Sequence, residues 1–192
     1  MPPAGPATDP TSRTEVSPTP PASPSSGTGP EQYVFITPVW GEAYVERFVK
    51  LSLPSQISAG NLGAIPAARV RYLIFTRREH IADIRRTPAF RRLRDIVPVS
   101  LLSLDDLPDP ELDGNPHPLQ TAAYTRGIGY ADRGNTAFVF LTPDILLGDG
   151  SIENMVRLAD AGRRVVLVAG VRMSTDGAVA CIARHRQGSQ PE

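Results

Sequence analysis

The chain has 192 residues, room for one ordinary domain with a sizeable core. Its 20 basic and 20 acidic residues cancel, so bulk charge points to neither nucleic acid nor an anionic membrane as a partner. One cysteine, Cys181, excludes an internal disulfide and a cysteine metal cluster, and fits a reducing, cytoplasmic setting in which it is a small buried strand residue.

Lys50 is the one lysine among the basic residues, and the scattered arginines read as the coding bias of a GC-rich bacterial genome. No apolar run approaches the roughly 20 residues that span a bilayer. The N-terminus lacks the basic start and apolar centre of a secretory signal. Residues Met1–Pro30 hold nine of the 20 prolines, among Ser, Thr, Gly and Ala. That composition cannot bury enough apolar surface to offset its ordering entropy, so a disordered tail without chemistry is expected there. A single domain is expected over residues 31–192.

Order is expected to begin with a strand at Tyr33–Ile36, running into Thr37-Pro38-Val39-Trp40-Gly41. Tyr44, Val45, Phe48 and Val49 recur at helical spacing, predicting a helix over Glu42–Leu53 that Pro54 breaks or kinks. Gly60–Gly63 reads as a loop and Arg71–Phe75 as a second strand, followed by Thr76-Arg77. Ile81 and Ile84, then Phe90 and Leu93, predict two short helices divided at Pro88. A third strand is expected over Ile96–Leu102, at an edge because of Pro98.

The acidic, proline-punctuated stretch Asp105–His117 reads as a surface loop. Leu119, Ala122, Ala123, Tyr130 and Ala131 share a helical face, with Gly127 allowing close approach to the sheet. The almost uninterrupted apolar run Ala137–Leu141 predicts a central strand buried on both faces and ended by Thr142-Pro143. Ile152, Met155, Val156 and Ala159 form the inner face of a further helix, with Gly162 as its stop. Arg164–Ala169 is expected to be another buried strand, and Ala178–Ala183 one more. Strands alternating with helices imply βαβ units. The fold class is α/β, a Rossmann-like, mainly parallel sheet with helices on both faces.

Several signatures are missing. There is no G-x-G-x-x-G after the first strand, no P-loop and no G-x-S-x-G elbow. His80, His117 and His185 are too dispersed for a zinc site, and His117 reads as a loop or capping histidine. What remains is a pair of strand ends, Thr37-Pro38-Val39-Trp40-Gly41 and Thr142-Pro143-Asp144. Ligands of open α/β sheets bind at such carboxyl edges. Read locally, Asp144 opens a turn and Asp149, in Gly148-Asp149-Gly150, caps the next helix.

With TPVWGEAYVERF, LSLPSQISAGNL and above all FVFLTPDILLGDGSI, the stretch from Gln32 to Arg172 resembles nucleotide-diphospho-sugar transferases of the GT-A glycosyltransferase fold. The resemblance implies that Thr37, Pro38, Trp40, Gly41 and Glu42 lie around the nucleotide of a nucleotide-diphospho-sugar. It also implies that Asp144 takes the place of the last Asp of the DxD element, reaching a divalent Mg²⁺ or Mn²⁺ on the diphosphate. Asp149, five residues on, is a second candidate for the same ion. The departures are Thr142 at the first Asp position and a chain that stops soon after Cys181, as a truncated or minimal domain would. Trp40 is placed either to stack on a base or sugar or to pack over the helix. Arg77 and Arg172 are candidates for phosphate contacts, ordinary surface arginines being the simpler reading. The function implied is glycosyl transfer to an unknown acceptor, with no motif for a catalytic base. The alternative is a non-catalytic binding module of the same fold. A Rossmann-like methyltransferase ranks last, because TPVWG supplies a single glycine.

Overall fold

The structure, a computed structural model, describes residues 29–107, 116–131, 134–171, 174 and 177. Strand β1, Gln32–Pro38, is the centre of the molecule: from Tyr33 onward every residue of it is buried. Its side chains point alternately to two faces, so an unbroken apolar run survives only where both faces are covered. Strands β2, Val70–Thr76, and β4, Thr136–Phe140, flank β1 in parallel, and β3, Val99–Ser103, lies outside β2. The four-stranded sheet therefore has the order β3-β2-β1-β4.

The helices divide between the two faces. Helix α1, Glu42–Arg47, continues through a π turn, Phe48–Ser52, into α2, Leu53–Gln56. These pack on one face with α3, Arg78–Arg86, α4, Pro88–Ile96, and α6, Ser151–Asp160. Their core joins Phe35, Phe48, Leu53, Tyr72, Leu93 and Ile152, with Phe35 stacked on Tyr72 at 5.9 Å. Helix α5, Pro116–Ala131, covers the other face, burying Leu119 and Ala123 against Val34, Ile36, Leu73 and Phe75.

Of the break or kink expected at Pro54, the break does not occur: the helical run continues past it. The turn before it widens, so that Leu53 N donates to Phe48 O, five residues back. A proline inside a regular α-helix clashes with the carbonyl four residues earlier, and a π turn relieves that crowding. The division at Pro88 is observed, with Thr87 Oγ1 accepting from Phe90 N as the cap of α4. Pro98 precedes β3, and among the described residues β3 is an edge strand, as expected. Gly162 ends α6 at φ 86°, and its N–H returns to Ala159 O. Most of the stretch expected to form the Asp105–His117 loop, and all of Ala178–Ala183, fall outside the described residues.

Two expectations need correction. The run Ala137–Leu141 does form a strand, but among the described residues β4 lies at the edge of the sheet, and Phe140 is 49 % exposed. Apolar composition signals exclusion from water on average, and it cannot say which strand holds the middle of a sheet. Arg164–Ala169 is not a strand: Val165, Leu167 and Val168 are exposed, with no ladder partner among the described residues. β-Branched content alone does not make a strand without a neighbour to pair with.

Gly127 earns its place by contact. A Cβ there would meet Ile36 Cδ1 at 2.8 Å and Cγ2 at 3.1 Å, inside a fully packed layer. Gly127→Val is expected to destabilise the fold by about 1–3 kcal/mol through overpacking. A urea titration that left the midpoint unchanged would show that the α5 layer is loose.

Candidate functional site

The order β3-β2-β1-β4 puts a switch in connection direction between β1 and β4. The chain leaves β1 towards β2 across one face, and reaches β4 through α5 across the other. Such a switch opens a crevice outside the carboxyl ends of its two strands, the usual ligand position in open α/β sheets. Backbone pairing continues a little beyond both ends: Val39 N donates to Phe75 O at 2.8 Å, and Leu141 N to Ile36 O at 3.0 Å. The segments 39–42 and 142–146 therefore emerge side by side.

On the β1 side, the residues expected around a nucleotide differ in what they can offer. Thr37 is fully buried, and its hydroxyl is 2.8 Å from the Tyr72 hydroxyl, facing the helical layer rather than the crevice. Pro38 is buried as well. Trp40 is half-buried against the α5 core. Gly41, at φ 78°, turns the chain into α1, a conformation that L side chains rarely adopt. Its carbonyl accepts from Tyr44 N and Val45 N. Glu42 follows, exposed, in the first turn. Of these five, Trp40, Gly41 and Glu42 present atoms towards solvent.

On the β4 side, Asp144 is exposed in the Pro143-Asp144 turn, and neither of its carboxylate oxygens is hydrogen-bonded among the described residues. Asp149 is different. Its Oδ1 accepts from Ser58 Oγ at 2.7 Å and from Gly60 N at 3.0 Å. The Ser58 hydroxyl, then the Gly60 N–H, hold this carboxyl below its ordinary pKa. Nor does Asp149 cap α6, as its position suggested. The cap comes from Asn61, whose Oδ1 accepts from Ile152 N at 2.9 Å. No group of three or more His, Cys, Asp or Glu placed to hold a metal occurs among the described residues.

Asn61 is the residue that sequence reasoning missed. It is fully buried, and its Nδ2 donates to Ser55 O, Ser58 Oγ and Gly148 O at 2.8, 3.0 and 3.1 Å. Nothing in Gly60–Gly63 beyond a turn signature announced this; a lone Asn in a loop is ordinary. The second unanticipated group lies in the core on the β2 side of β1. Tyr72 OH donates to Gln56 Oε1 at 2.5 Å, and Gln56 Nε2 donates to Ser52 Oγ at 2.9 Å, all within the core.

Arg77, a candidate phosphate ligand, is paired with Asp105 at 2.7 Å. The other Asp105 oxygen accepts from Arg78 N at the start of α3. That backbone N–H, then Arg77, holds Asp105 below the usual carboxylate range. Arg172, His185 and Cys181 lie outside the described residues. His117 is exposed at the start of α5. Among the described residues a cavity of about 830 Å³ runs between β4, α6 and residues 163–168, with mainly apolar walls, and reaches the Asp144 loop at Ile145 and Leu147. The chemistry-bearing side chains lie at the strand ends, so volume alone does not locate the site. Among the described residues no helix is long and apolar enough to cross a membrane.

No family model matches the sequence, and no curated protein matches it. Among solved structures, the crystal structure of TarS from S. aureus, a glycosyltransferase, superposes with a TM-score of 0.45 at 11 % identity. The overlap covers 67 % of this chain and 19 % of that one, too loose and too partial to assign any residue or activity. The chain spans about a fifth of the length of the protein it matches. What stands is the fold class, a mixed α/β domain with a parallel four-stranded sheet flanked by helices, in keeping with a Rossmann-like arrangement.

Proposed function

We propose that the chain is a glycosyltransferase-like module that binds a nucleotide-diphospho-sugar in the crevice between the carboxyl ends of β1 and β4, and transfers the glycosyl group to an acceptor. The observation that carries this reading is Asp144, an exposed carboxylate with both oxygens unengaged among the described residues, delivered at the topological switch point. Two of the three stretches that carry the family resemblance, TPVWGEAYVERF and FVFLTPDILLGDGSI, run through the carboxyl ends of these adjacent parallel strands.

A Mg²⁺ or Mn²⁺ ion fits the donor set in one way. Asp144 supplies a single carboxylate, and diphosphate oxygens and water complete the shell, as is common for Mg²⁺. Asp149 has one oxygen spent on Ser58 and Gly60, so the metal role falls on Asp144. A bound divalent ion would offset the charge that gathers on the departing diphosphate. Trp40 offers an aromatic edge to base or sugar, and Gly41 and Glu42 offer the open backbone and carboxylate of the first turn.

Calorimetric titration with uridine, guanosine and thymidine diphosphates, with and without Mn²⁺, tests this. Asp144→Asn keeps the shape and removes the charge, so metal-dependent affinity is expected to fall tenfold or more, about 1.4 kcal/mol, with the melting temperature unchanged. Asp149→Asn retains an oxygen to accept from Ser58 and Gly60, and its effect on binding is expected to be smaller. An Asp144→Asn protein that binds as the wild type does, but melts markedly lower, would make Asp144 a turn residue and remove the site. Selective binding without sugar transfer or hydrolysis would leave a binding module.

A further inference from the structure

The loop that carries Asp144 has no regular secondary structure between the end of β4 and the start of α6. Its position must come from its attachments, and these are few and specific. At one end Leu141 N is held by Ile36 O. At the other, hydrogen bonding to the rest of the fold resumes at Leu147, whose N–H donates to Ser55 Oγ at 3.1 Å. Gly148 O then accepts from Asn61 Nδ2, Asp149 Oδ1 from Ser58 Oγ and Gly60 N, and Asn61 Oδ1 from Ile152 N. All the partners on the far side belong to one short segment, residues 55–61. Between the two anchors runs Thr142–Leu146, with one weak internal turn bond, Ile145 N to Thr142 O at 3.4 Å, and one side chain, Ile145, half-buried against the core. Asp144 is the middle residue of that span.

We propose that the segment Ser55–Asn61 is a latch that positions the Asp144 carboxylate, with buried Asn61 as its positioning residue. The inference rests on the functional reading above, in that it gives Asn61 a role in metal-dependent binding. Asn61 touches no ligand in this scheme. It acts through Gly148 and Ile152, fixing the far end of the loop from which Asp144 is suspended. Its hydrogen-bonding capacity is full: Nδ2 is shared among three acceptors, and Oδ1 takes the Ile152 N–H. Gly60 completes the latch by absence of a side chain, because a Cβ there would sit 2.8 Å from both Asp149 Oδ1 and Gly150 N. A backbone atom cannot rotate away, so Gly60→Ala must push the two segments apart. The five residues between the anchors then gain room, because their far anchor shifts with the Asp149–Gly150 backbone.

Two measurements on the full chain test this, and they fail separately. The first needs no ligand: amide hydrogen exchange in the wild type, Asn61→Ala, Ser55→Ala and Gly60→Ala. Exchange at Leu147 and Ile152 is expected to accelerate about tenfold or more, while the amides of β1 and β2 keep their protection, as local opening does. The second is titration with uridine diphosphate with and without Mn²⁺. In Asn61→Ala the gain in affinity conferred by Mn²⁺ is expected to shrink about five- to tenfold, with metal-free affinity unchanged within about twofold. Ser55→Ala, which removes one anchor and leaves Asn61 in place, is expected to fall between, and it keeps the test valid should Asn61→Ala fail to fold. Accelerated exchange with an unaltered Mn²⁺ gain would overturn the positioning role and leave a structural clamp. Unchanged exchange would overturn the latch itself. A wild type with no Mn²⁺ gain for any nucleoside diphosphate would remove the functional reading, and the positioning role with it, whatever the exchange shows.

Discussion

Phe35→Ala is expected to lower the free energy of unfolding by about 3–5 kcal/mol, the range for a large aromatic removed from a packed core. Phe35 is fully buried in β1, stacked on Tyr72, with the α1–α2 layer and α6 closing over that face. The cavity left by truncation has no side chain free to collapse into it, because its neighbours are themselves fully enclosed. Phe140→Ala makes the opposite case. The Phe140 ring meets Tyr124 edge-on at 4.9 Å and Phe138 at 6.5 Å, and half of it is exposed. Its loss is expected to cost about 1 kcal/mol, the worth of an aromatic contact rather than of a core residue. Parallel urea titrations with a common m-value would give both numbers. Equal costs would mean that β4 is covered in solution by something beyond the described residues.

Tyr72→Phe comes second, at about 2–3 kcal/mol, although it removes a single oxygen. The Tyr72 hydroxyl bridges Thr37 Oγ1 and Gln56 Oε1, and all three residues are fully buried. Burial raises the tyrosine pKa, so the group is a neutral phenol throughout the ordinary pH range. Taking the hydroxyl away leaves the Gln56 oxygen without a donor and deprives Thr37 of its partner, at about 1–3 kcal/mol for each stranded group. Tyr72→Phe combined with Gln56→Leu is therefore expected to be less destabilised than the sum of its parts. A double-mutant cycle followed by thermal melts measures the difference. Strict additivity would show that the hydroxyl and the amide act independently.

The parallel α/β class was legible because each strand and helix carries its own period: Tyr33–Ile36 and Arg71–Phe75 as unbroken apolar runs, Ile152, Val156 and Ala159 at helical spacing. Local chemistry placed a division between helices at Pro88 and a helix end at Gly162. Strand order was not legible, because nothing in Phe138-Val139-Phe140 records whether a neighbour lies on one side or two. The site divides in the same way. Asp144 was visible as a carboxylate after a strand-ending Pro143, a strictly local pattern. The partners of Asp149, and the part played by Asn61, depend on contacts between residues about 90 positions apart. Such contacts leave no trace in local spacing. Thr37 shows the converse: the family resemblance placed it near a ligand, and its hydroxyl turns the other way, into the core.

The widened turn at Phe48–Ser52 has a consequence for how this segment tolerates change in length. One residue advances a helix by about 100°, and the π turn absorbs one extra residue, so everything after it keeps the phase of a regular helix one residue shorter. With that phase, Leu53 and Gln56 face the sheet and Ser55 faces Leu147. Deleting one residue between Phe48 and Ser52 would keep that phase but return the turn before Pro54 to regular geometry, where the proline crowds the carbonyl four residues back. A further inserted residue would rotate Leu53–Gln56 by about 100°, Leu53 towards solvent, Gln56 away from Tyr72 and Ser55 off the loop. Substitutions within this stretch are matters of size and polarity, whereas a change of length undoes either the relief at Pro54 or the phase. Natural variation in length is therefore expected to be excluded from Phe48–Gln56 and accepted in the turns that follow.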